Sequence, residues 1–193
     1  SDGTVALLGA ETRIEAHVSG NQRRVRVAAG EALFTIAASE GDPVSISTPS
    51  GGVDASQGQV LVKVLTDGAR ITLLSAPGQV WRAGLVARHR AVGADASSEI
   101  VFGEGNIRVI HVQPPLLSRR TLWREGRLAF DDTPLAEAVE DVARHTGARF
   151  AFGDPALRAL RVGGLIEADN LEAFLALLRQ NLAVDAERGA DGV

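Results

Sequence analysis

The sequence predicts a β + α/β fold class: an N-terminal all-β domain followed by a small double βαβ module. From about residue 4 to residue 112, short apolar–polar alternations are separated by clusters of turn-forming residues. After residue 123 the apolar residues recur at the three- and four-residue spacing of a helix. Strands interrupted at such short intervals are typical of a sandwich or a β-solenoid of short strands.

The all-β domain is expected over residues 1–113. Its clearest strands lie in "RRVRVAAGEALFTIA", "VSIST", "QVLVKVL" and "NIRVIHV", and the turns between strands in "SGN", "GDP", "PSGG", "TDG" and "APG". The prolines of "QPP" at 113–115 end the last strand, because proline cannot donate a hydrogen bond to a ladder. We therefore predict a connector over residues 114–122.

The α/β module is expected over residues 123–193. Its first helix is indicated by Thr133 as a cap, Pro134 at the first helical position and Gly147 as a left-handed stop. "ARFAF" at 148–152 then alternates like a strand.

The same order recurs 36 residues later. "GLIEADN" is strand-like, Asp169 or Asn170 can cap a second helix, and "AVDAE" follows that helix. A shift of 36 residues places three apolar positions of the first helix on three of the second: Leu135, Val139 and Val142 on Leu171, Leu175 and Leu178. We predict two βαβ units in which these six residues share one core.

Composition excludes several classes of protein. The net charge is −4 without long runs of one sign, which argues against nucleic-acid binding. Cysteine is absent, which excludes disulfides, thiolate metal sites and cysteine nucleophiles. Because methionine is absent too, we expect a fragment or a processed form. No run of eighteen apolar residues is present.

We find no pattern of catalysis or metal binding, and predict no enzyme, metal or cofactor. Asp131 and Asp132 are adjacent, but they precede a predicted helix, where capping is the favoured interpretation. The histidines fall in separate elements: His17, His89, His111 and His145. A basic cluster, Arg119, Arg120, Arg124 and Arg127, surrounds Trp123. We interpret it as a solvated connector with Trp123 packed between the domains, in preference to a binding patch.

One segment resembles a known family. "WREGRLAFDDTPLAEAVEDVARHTG" is similar to the start of the C-terminal domain of FecR-like regulators, the membrane-spanning anti-sigma factors of cell-surface signalling. The family pattern W-R-x-G-R-L-x-F followed by D-x-T-P-L-x-E falls on these residues: Trp123, Arg124, Gly126, Arg127, Leu128, Phe130, Pro134, Leu135 and Glu137. Upstream, "RRVRVAAGEALFTIA" resembles the family's V-x-L-x-x-G-E-A-F-F-x-V strand pair, with Gly30, Glu31, Ala32 and Phe34 in register.

The resemblance implies a role in signalling. It implies a periplasmic region of an inner-membrane single-pass protein, with a membrane anchor and a cytoplasmic segment upstream that binds an extracytoplasmic-function sigma factor. The C-terminal module would resemble the short N-terminal domain of secretins and TonB-dependent receptors. Its partner would be the signalling domain of a TonB-dependent outer-membrane receptor, loaded with a ferric siderophore or a similar nutrient. The alternative function is a carbohydrate- or envelope-binding β-domain with an accessory α/β module.

We expect the partner surface to use an open sheet edge of the C-terminal module. After "AVDAE" no returning strand follows, and an unpaired strand can template a partner's strand. Either the chain is cut short there, which the family resemblance favours, or it ends there and offers that edge to the partner. In the first case the candidate edges are "ALRVGGLIE" at 159–167 and "ARFAF". The candidate contact residues are Arg149, Phe152, Leu160, Arg161, Val162 and Leu165.

Overall fold

The computed structural model describes residues 3–38, 42–83, 89–103 and 106–186. The chain divides into two compact units, which we call unit 1 (residues 1–117) and unit 2 (residues 118–193). The final segment of the sequence, "RGADGV" at 188–193, was expected to form a turn and lies outside the described residues.

Unit 1 consists of two β-sheets. Its described strands are β1 (Val5–Leu8), β2 (Arg13–Ser19), β3 (Gln22–Ala29), β4 (Glu31–Ile36), β5 (Val44–Ser47), β6 (Gly51–Ala55), β7 (Gly58–Leu65), β8 (Gly68–Leu73), β9 (Gly78–Arg82), β10 (His89–Ala94), β11 (Ser98–Phe102) and β12 (Ile107–His111). One six-stranded sheet has the order β1-β4-β7-β8-β11-β12, and the other has the order β10-β9-β6-β5-β3-β2.

Successive hairpins alternate between the two sheets. The β5–β6 and β9–β10 hairpins belong to one sheet, and the β7–β8 and β11–β12 hairpins belong to the other. Among the described strands, β4 alone lies between β3 and β5 in the sequence. The chain therefore returns in the same direction, and β3 and β5 pair in parallel. The prediction of an all-β domain is confirmed.

The core of unit 1 is built from alternate residues of both sheets, because successive side chains of a strand point to opposite faces. Val60 and Val62 of β7 are buried in it, as the alternation in "QVLVKVL" predicts, and so are Val44 and Ile46 of β5. The large aromatic side chains in this core are Phe34 and Phe102.

The turn before β4 explains the upstream motif. Gly30 has a φ of 81°, in the left-handed region that favours glycine. The Thr12 hydroxyl lies against this turn: it donates to the Glu31 carbonyl at 2.8 Å and accepts from the Glu31 N–H at 2.9 Å. Ala32 and Phe34 then enter the core. Each glycine, alanine and phenylalanine of the motif is therefore fixed by backbone conformation or by packing.

The predicted connector is not an irregular segment. Pro114–Arg119 forms the short helix α1, and Leu122–Glu125 forms a 3-10 helix. No helix in the described part of the chain is long and apolar enough to cross a membrane.

The described part of unit 2 contains a two-stranded antiparallel sheet and two α-helices. Its elements are β13 (Arg127–Pro134), α2 (Leu135–Thr146), a 3-10 helix (Pro155–Ala159), β14 (Arg161–Glu167) and α3 (Leu171–Leu182). The predicted fold class, an all-β domain followed by a small α/β region, is confirmed. The two additional strands are not: residues 148–152 and 183–186 are not strands. The unit has one β-strand before each helix.

The helix ends follow the sequence signals in part. Gly147 ends α2 with a φ of 73°, and Asn170 caps α3 by accepting from the Ala173 N–H at 2.9 Å. The predicted start of α2 is wrong by one position: the cap residue is Pro134, and the helix begins at Leu135 without a side-chain cap. The Thr133 hydroxyl accepts from the Asp131 N–H instead.

The two helices share one core, as predicted. Leu135, Val139, Val142, Leu175 and Leu178 are buried in it, and Leu171 packs against it half-buried. Phe174 lies at its centre, with its ring centroid 5.9 Å from that of Phe130 and 6.1 Å from that of Phe150.

Candidate functional site: an open edge and a groove in unit 2

The tryptophan–arginine motif forms the first turn of unit 2. Arg124 donates from Nε to the Thr121 carbonyl and from Nη2 to the Thr121 hydroxyl, both at 3.2 Å. Gly126 ends the 3-10 helix with a φ of 71°, and Arg127 forms an ion pair with Glu125. The arginines at these two positions therefore have structural partners within the segment.

The apolar residues of the motif build the core of unit 2. Leu128, Phe130 and Leu135 are buried, and Trp123 packs against the same core half-buried. Pro134 occupies the junction of β13 and α2. The described side chains of the motif therefore contribute to the fold of the unit.

The paired aspartates do not cap α2. Asp131 forms an ion pair with Arg119, whose Nε lies 3.0 Å from Asp131 Oδ2. Asp132 has a φ of 49°, and its carbonyl accepts from Arg161 Nη1 at 3.0 Å. The capping interpretation is therefore wrong. Among the described residues, no group of three His, Cys, Asp or Glu side chains is arranged to hold a metal ion.

β14 has one unpaired edge in the described part of the chain, because it pairs with β13 alone. The Ala168 N–H donates to the Gly126 carbonyl at 2.8 Å, and the Leu135 N–H donates to the Leu160 carbonyl at 2.7 Å. Along an antiparallel strand, the N–H and C=O groups of alternate residues point to opposite sides. Because Leu160 and Ala168 bond toward β13, the N–H and C=O groups of four residues point away from it: Arg161, Gly163, Leu165 and Glu167. We call these four residues the β14 edge.

The β14 edge is only partly occupied by its own unit. Asn181 Nδ2 donates to the Gly163 carbonyl at 3.0 Å. Leu165 is 48% exposed, and Arg161 is also exposed. A strand with outward N–H and C=O groups and an exposed leucine is suited to pairing with an incoming strand.

The structure places the six predicted contact residues in four different positions. Arg161 and Leu165 lie on the β14 edge, whereas Arg149 and Phe152 lie in the loop between α2 and β14. Leu160 is half-buried, and its carbonyl accepts from Leu135. Val162 was predicted as a contact residue, but its side chain is 1% exposed and belongs to the core of unit 2.

Beside α2 and α3 lies an apolar groove with a volume of about 300 Å³, which the sequence does not predict. Its lining comes from both helices, the 150–153 loop and the segment after α3: Leu135, Val139, Phe150, Ala151, Phe152, Gly153, Leu157, Leu175, Leu178, Val184, Asp185 and Ala186. The alternation of "ARFAF" is the one signal that could have indicated it, because it turns Phe150 and Phe152 toward the unit's core.

The rim of the groove carries charge. The Arg158 guanidinium lies 5.1 Å from the centroid of the Phe152 ring, and Arg179 Nε lies 2.9 Å from Asp185 Oδ1. Both ion pair residues are largely exposed, so this pair contributes little to stability. An apolar floor with a charged rim is the usual anatomy of a protein-binding surface.

Comparison with known proteins gives a family-model match for part of unit 1 and a fold match for the chain. Residues 1–80 match the family model of the FecR protein. No curated protein sequence matches the chain. The chain is similar to two crystal structures of a "putative anti-sigma factor" from Parabacteroides distasonis ATCC 8503. One has a TM-score of 0.85 at 19% identity and the other 0.80 at 20%. The alignments cover 98% and 99% of this chain and 88% of each of those chains.

Proposed function

We propose that the chain, which matches the FecR family model over residues 1–80, is the signal-receiving region of an anti-sigma regulator. Unit 2 binds the signalling domain of a TonB-dependent outer-membrane receptor, and the event is relayed to an extracytoplasmic-function sigma factor. The FecR match of unit 1 and the shared fold with the two Parabacteroides structures support this role. The regulator acts by binding and not by catalysis.

The place of action follows from the same proposal. The region is periplasmic, and the regulator is anchored in the inner membrane by a segment upstream of it. The inducing signal is the loading of the receptor with a nutrient such as a ferric siderophore. A sigma-factor gene and a receptor gene next to the gene for this chain would support the assignment.

The β14 edge is the observation on which the receptor contact depends. An incoming strand that pairs there gains main-chain hydrogen bonds from Leu165 and Glu167, and it packs on the exposed Leu165 side chain. Phe152 and Arg149 provide contacts from the loop that borders the groove. This edge-pairing mode needs no charged residue at its centre.

The experiment separates the backbone of the edge from its side chain. Titration calorimetry measures binding of the receptor's signalling domain to the chain and to Leu165→Pro and Leu165→Ala. Leu165→Pro removes an outward N–H and leaves the ladder with β13 intact, so we expect affinity to fall by at least about tenfold. Leu165→Ala keeps the N–H and should weaken binding less.

Circular dichroism confirms that each variant is folded before it is titrated. A proline at Val162 would not serve, because that residue bonds to β13 and its side chain is in the core. Val18→Ala in unit 1 is the control for an exposed apolar residue outside the edge. A folded Leu165→Pro variant that binds with wild-type affinity would rule out this edge as the contact.

A further inference from the structure

β1 differs from the other outer strands of unit 1. The described outer strands of the two sheets are β1, β12, β10 and β2. β2 contains Arg13 and Glu15, β12 contains Arg108, and β10 has an irregular register with β9. Charges and bulges of this kind protect sheet edges from pairing with other chains.

β1 has none of these protections. Its sequence is "VALL", and its register with β4 is regular from Val5 to Leu8. All four residues are exposed, with Val5 at 62%, Leu7 at 46% and Leu8 at 43%. A contiguous exposed apolar strand at a sheet edge predicts association with another strand.

The hydrogen bonds between β1 and β4 show which N–H and C=O groups of β1 point away from β4. The Gly9 N–H donates to the Glu31 carbonyl at 2.8 Å, and the register continues through Leu7 opposite Leu33 and Val5 opposite Thr35. These residues bond to β4, so the alternation directs the N–H and C=O groups of Ala6 and Leu8 away from it.

A row of leucine side chains crosses the sheet and ends at β1. Leu7 stands opposite Leu33 of β4, which stands opposite Leu61 of β7. Leu33 and Leu61 are both buried, whereas Leu7 is half-exposed at the end of the row. A strand added beyond β1 would place its own side chain next to Leu7 and continue the row.

We propose that β1 is a homodimerisation strand, which pairs antiparallel with β1 of a second copy of this chain. The two-fold axis runs perpendicular to the sheet and passes midway between the Leu7 residues of the two copies. Ala6 then faces Leu8 of the other copy, and the outward groups of these two residues form four hydrogen bonds. Leu7 meets Leu7 in a pair without hydrogen bonds, where side chains approach most closely.

Two properties of β1 favour a copy of itself as the occupant. It is uncharged, so self-pairing places no like charges opposite each other. The contact is isologous and therefore closes at two copies, whereas pairing of β1 with β12 would repeat without limit and would bring Arg108 to an apolar strand. Two six-stranded sheets become one sheet of twelve strands.

Cysteine substitution tests the register, because the 193-residue chain has no cysteine and each variant carries a single thiol. Leu7→Cys should oxidise to a covalent dimer, since only residue 7 faces its own copy across the axis. Val5→Cys lies on the same strand but faces Gly9 of the other copy, so this variant should form no disulfide-linked dimer. Val18→Cys is the matched control: Val18 is 73% exposed on the edge strand β2.

Sedimentation equilibrium tests the association itself. The wild-type chain should show a concentration-dependent dimer, and Leu7→Lys should raise the dimer dissociation constant by at least about tenfold, because two charges would meet at the axis. Ala6→Pro, which removes an outward N–H, should have the same effect, and Val18→Lys should have none. A wild-type chain that stays monomeric at millimolar concentration, or a dimer that survives Leu7→Lys, would overturn the proposal.

Discussion

Single glycines set the geometry of unit 1. A methyl group on Gly30 would lie 2.4 Å from Thr12 Oγ1 and 2.6 Å from Thr12 Cα. The second of these is a backbone atom, so rotation of the threonine side chain cannot relieve the contact. Gly20 also has a positive φ, of 56°, but a methyl group there meets no atom within 4 Å.

We therefore expect Gly30→Ala to destabilise the chain much more than Gly20→Ala. Both carry the penalty of a left-handed alanine, about 1–2 kcal/mol, and only Gly30→Ala adds the clash with Thr12. Urea denaturation of both variants measures the difference in the free energy of unfolding. Equal losses would show that the turn moves away from Thr12 at no cost.

Phe174 is the residue on which the core of unit 2 depends most. It is fully buried and contacts both Phe130 and Phe150. We expect Phe174→Ala to lower the free energy of unfolding by about 3–5 kcal/mol, through lost burial and a residual cavity. Leu165→Ala, on the exposed face of β14, is the control and should change it by less than about 0.5 kcal/mol. Comparable losses in the two variants would mean that the core is misassigned.

At the scale of elements, the caps can be tested individually. Asn170→Ala removes the acceptor of the Ala173 N–H and should cost about 0.5–2 kcal/mol in the free energy of unfolding. Asp169 is the adjacent candidate in the sequence, yet α3 is capped by Asn170. Asp169→Ala should therefore have little effect in the same thermal or urea melt. If Asp169→Ala lowered the free energy of unfolding more than Asn170→Ala does, Asn170 would not be the cap of α3.

The elements that the sequence predicts correctly are those marked by local chemistry. Gly147 ends α2 because a left-handed backbone is needed at that position. Asn170 begins α3 because its side chain accepts a hydrogen bond from an N–H of the first turn. "ARFAF" was predicted as a strand because Phe150 and Phe152 alternate with polar and small residues. Alternation reports which side chains face the core, and both do. It does not report whether the backbone has a hydrogen-bonded neighbour.

The same limit applies to the candidate site. The strand character of β14 could be predicted from its sequence. The sequence also predicts strands at 148–152 and after α3, and because neither forms, β14 pairs with β13 alone. The assignment of Val162 to the surface was wrong because apolar residues occupy both faces of "RVGGLIE", and only packing shows that Val162 and Ile166 face inward. The groove could not be predicted, because its lining joins Leu135, Leu157 and Val184 across the fold.

At the scale of the whole molecule, each unit has its own core. The buried residues of the two clusters do not overlap, and each cluster is drawn from one unit. We therefore expect residues 118–193, produced alone, to unfold cooperatively with urea and to lose stability on Phe174→Ala as the full chain does. Residues 1–117 alone are the complementary control. A fragment 118–193 without a cooperative transition would contradict the expectation.

The alternation of hairpins between the two sheets of unit 1 governs how the unit can assemble. Among the described strands of unit 1, the most distant registered pair is Ala69 with Phe102, 33 residues apart (102 − 69). Pairings this short in sequence favour fast folding, since little loop entropy is lost before each contact forms. Each new hairpin finds its neighbouring strand already synthesised, about 30 residues earlier in the chain. The sandwich can therefore grow from its N-terminal end while the rest of the polypeptide is still being made.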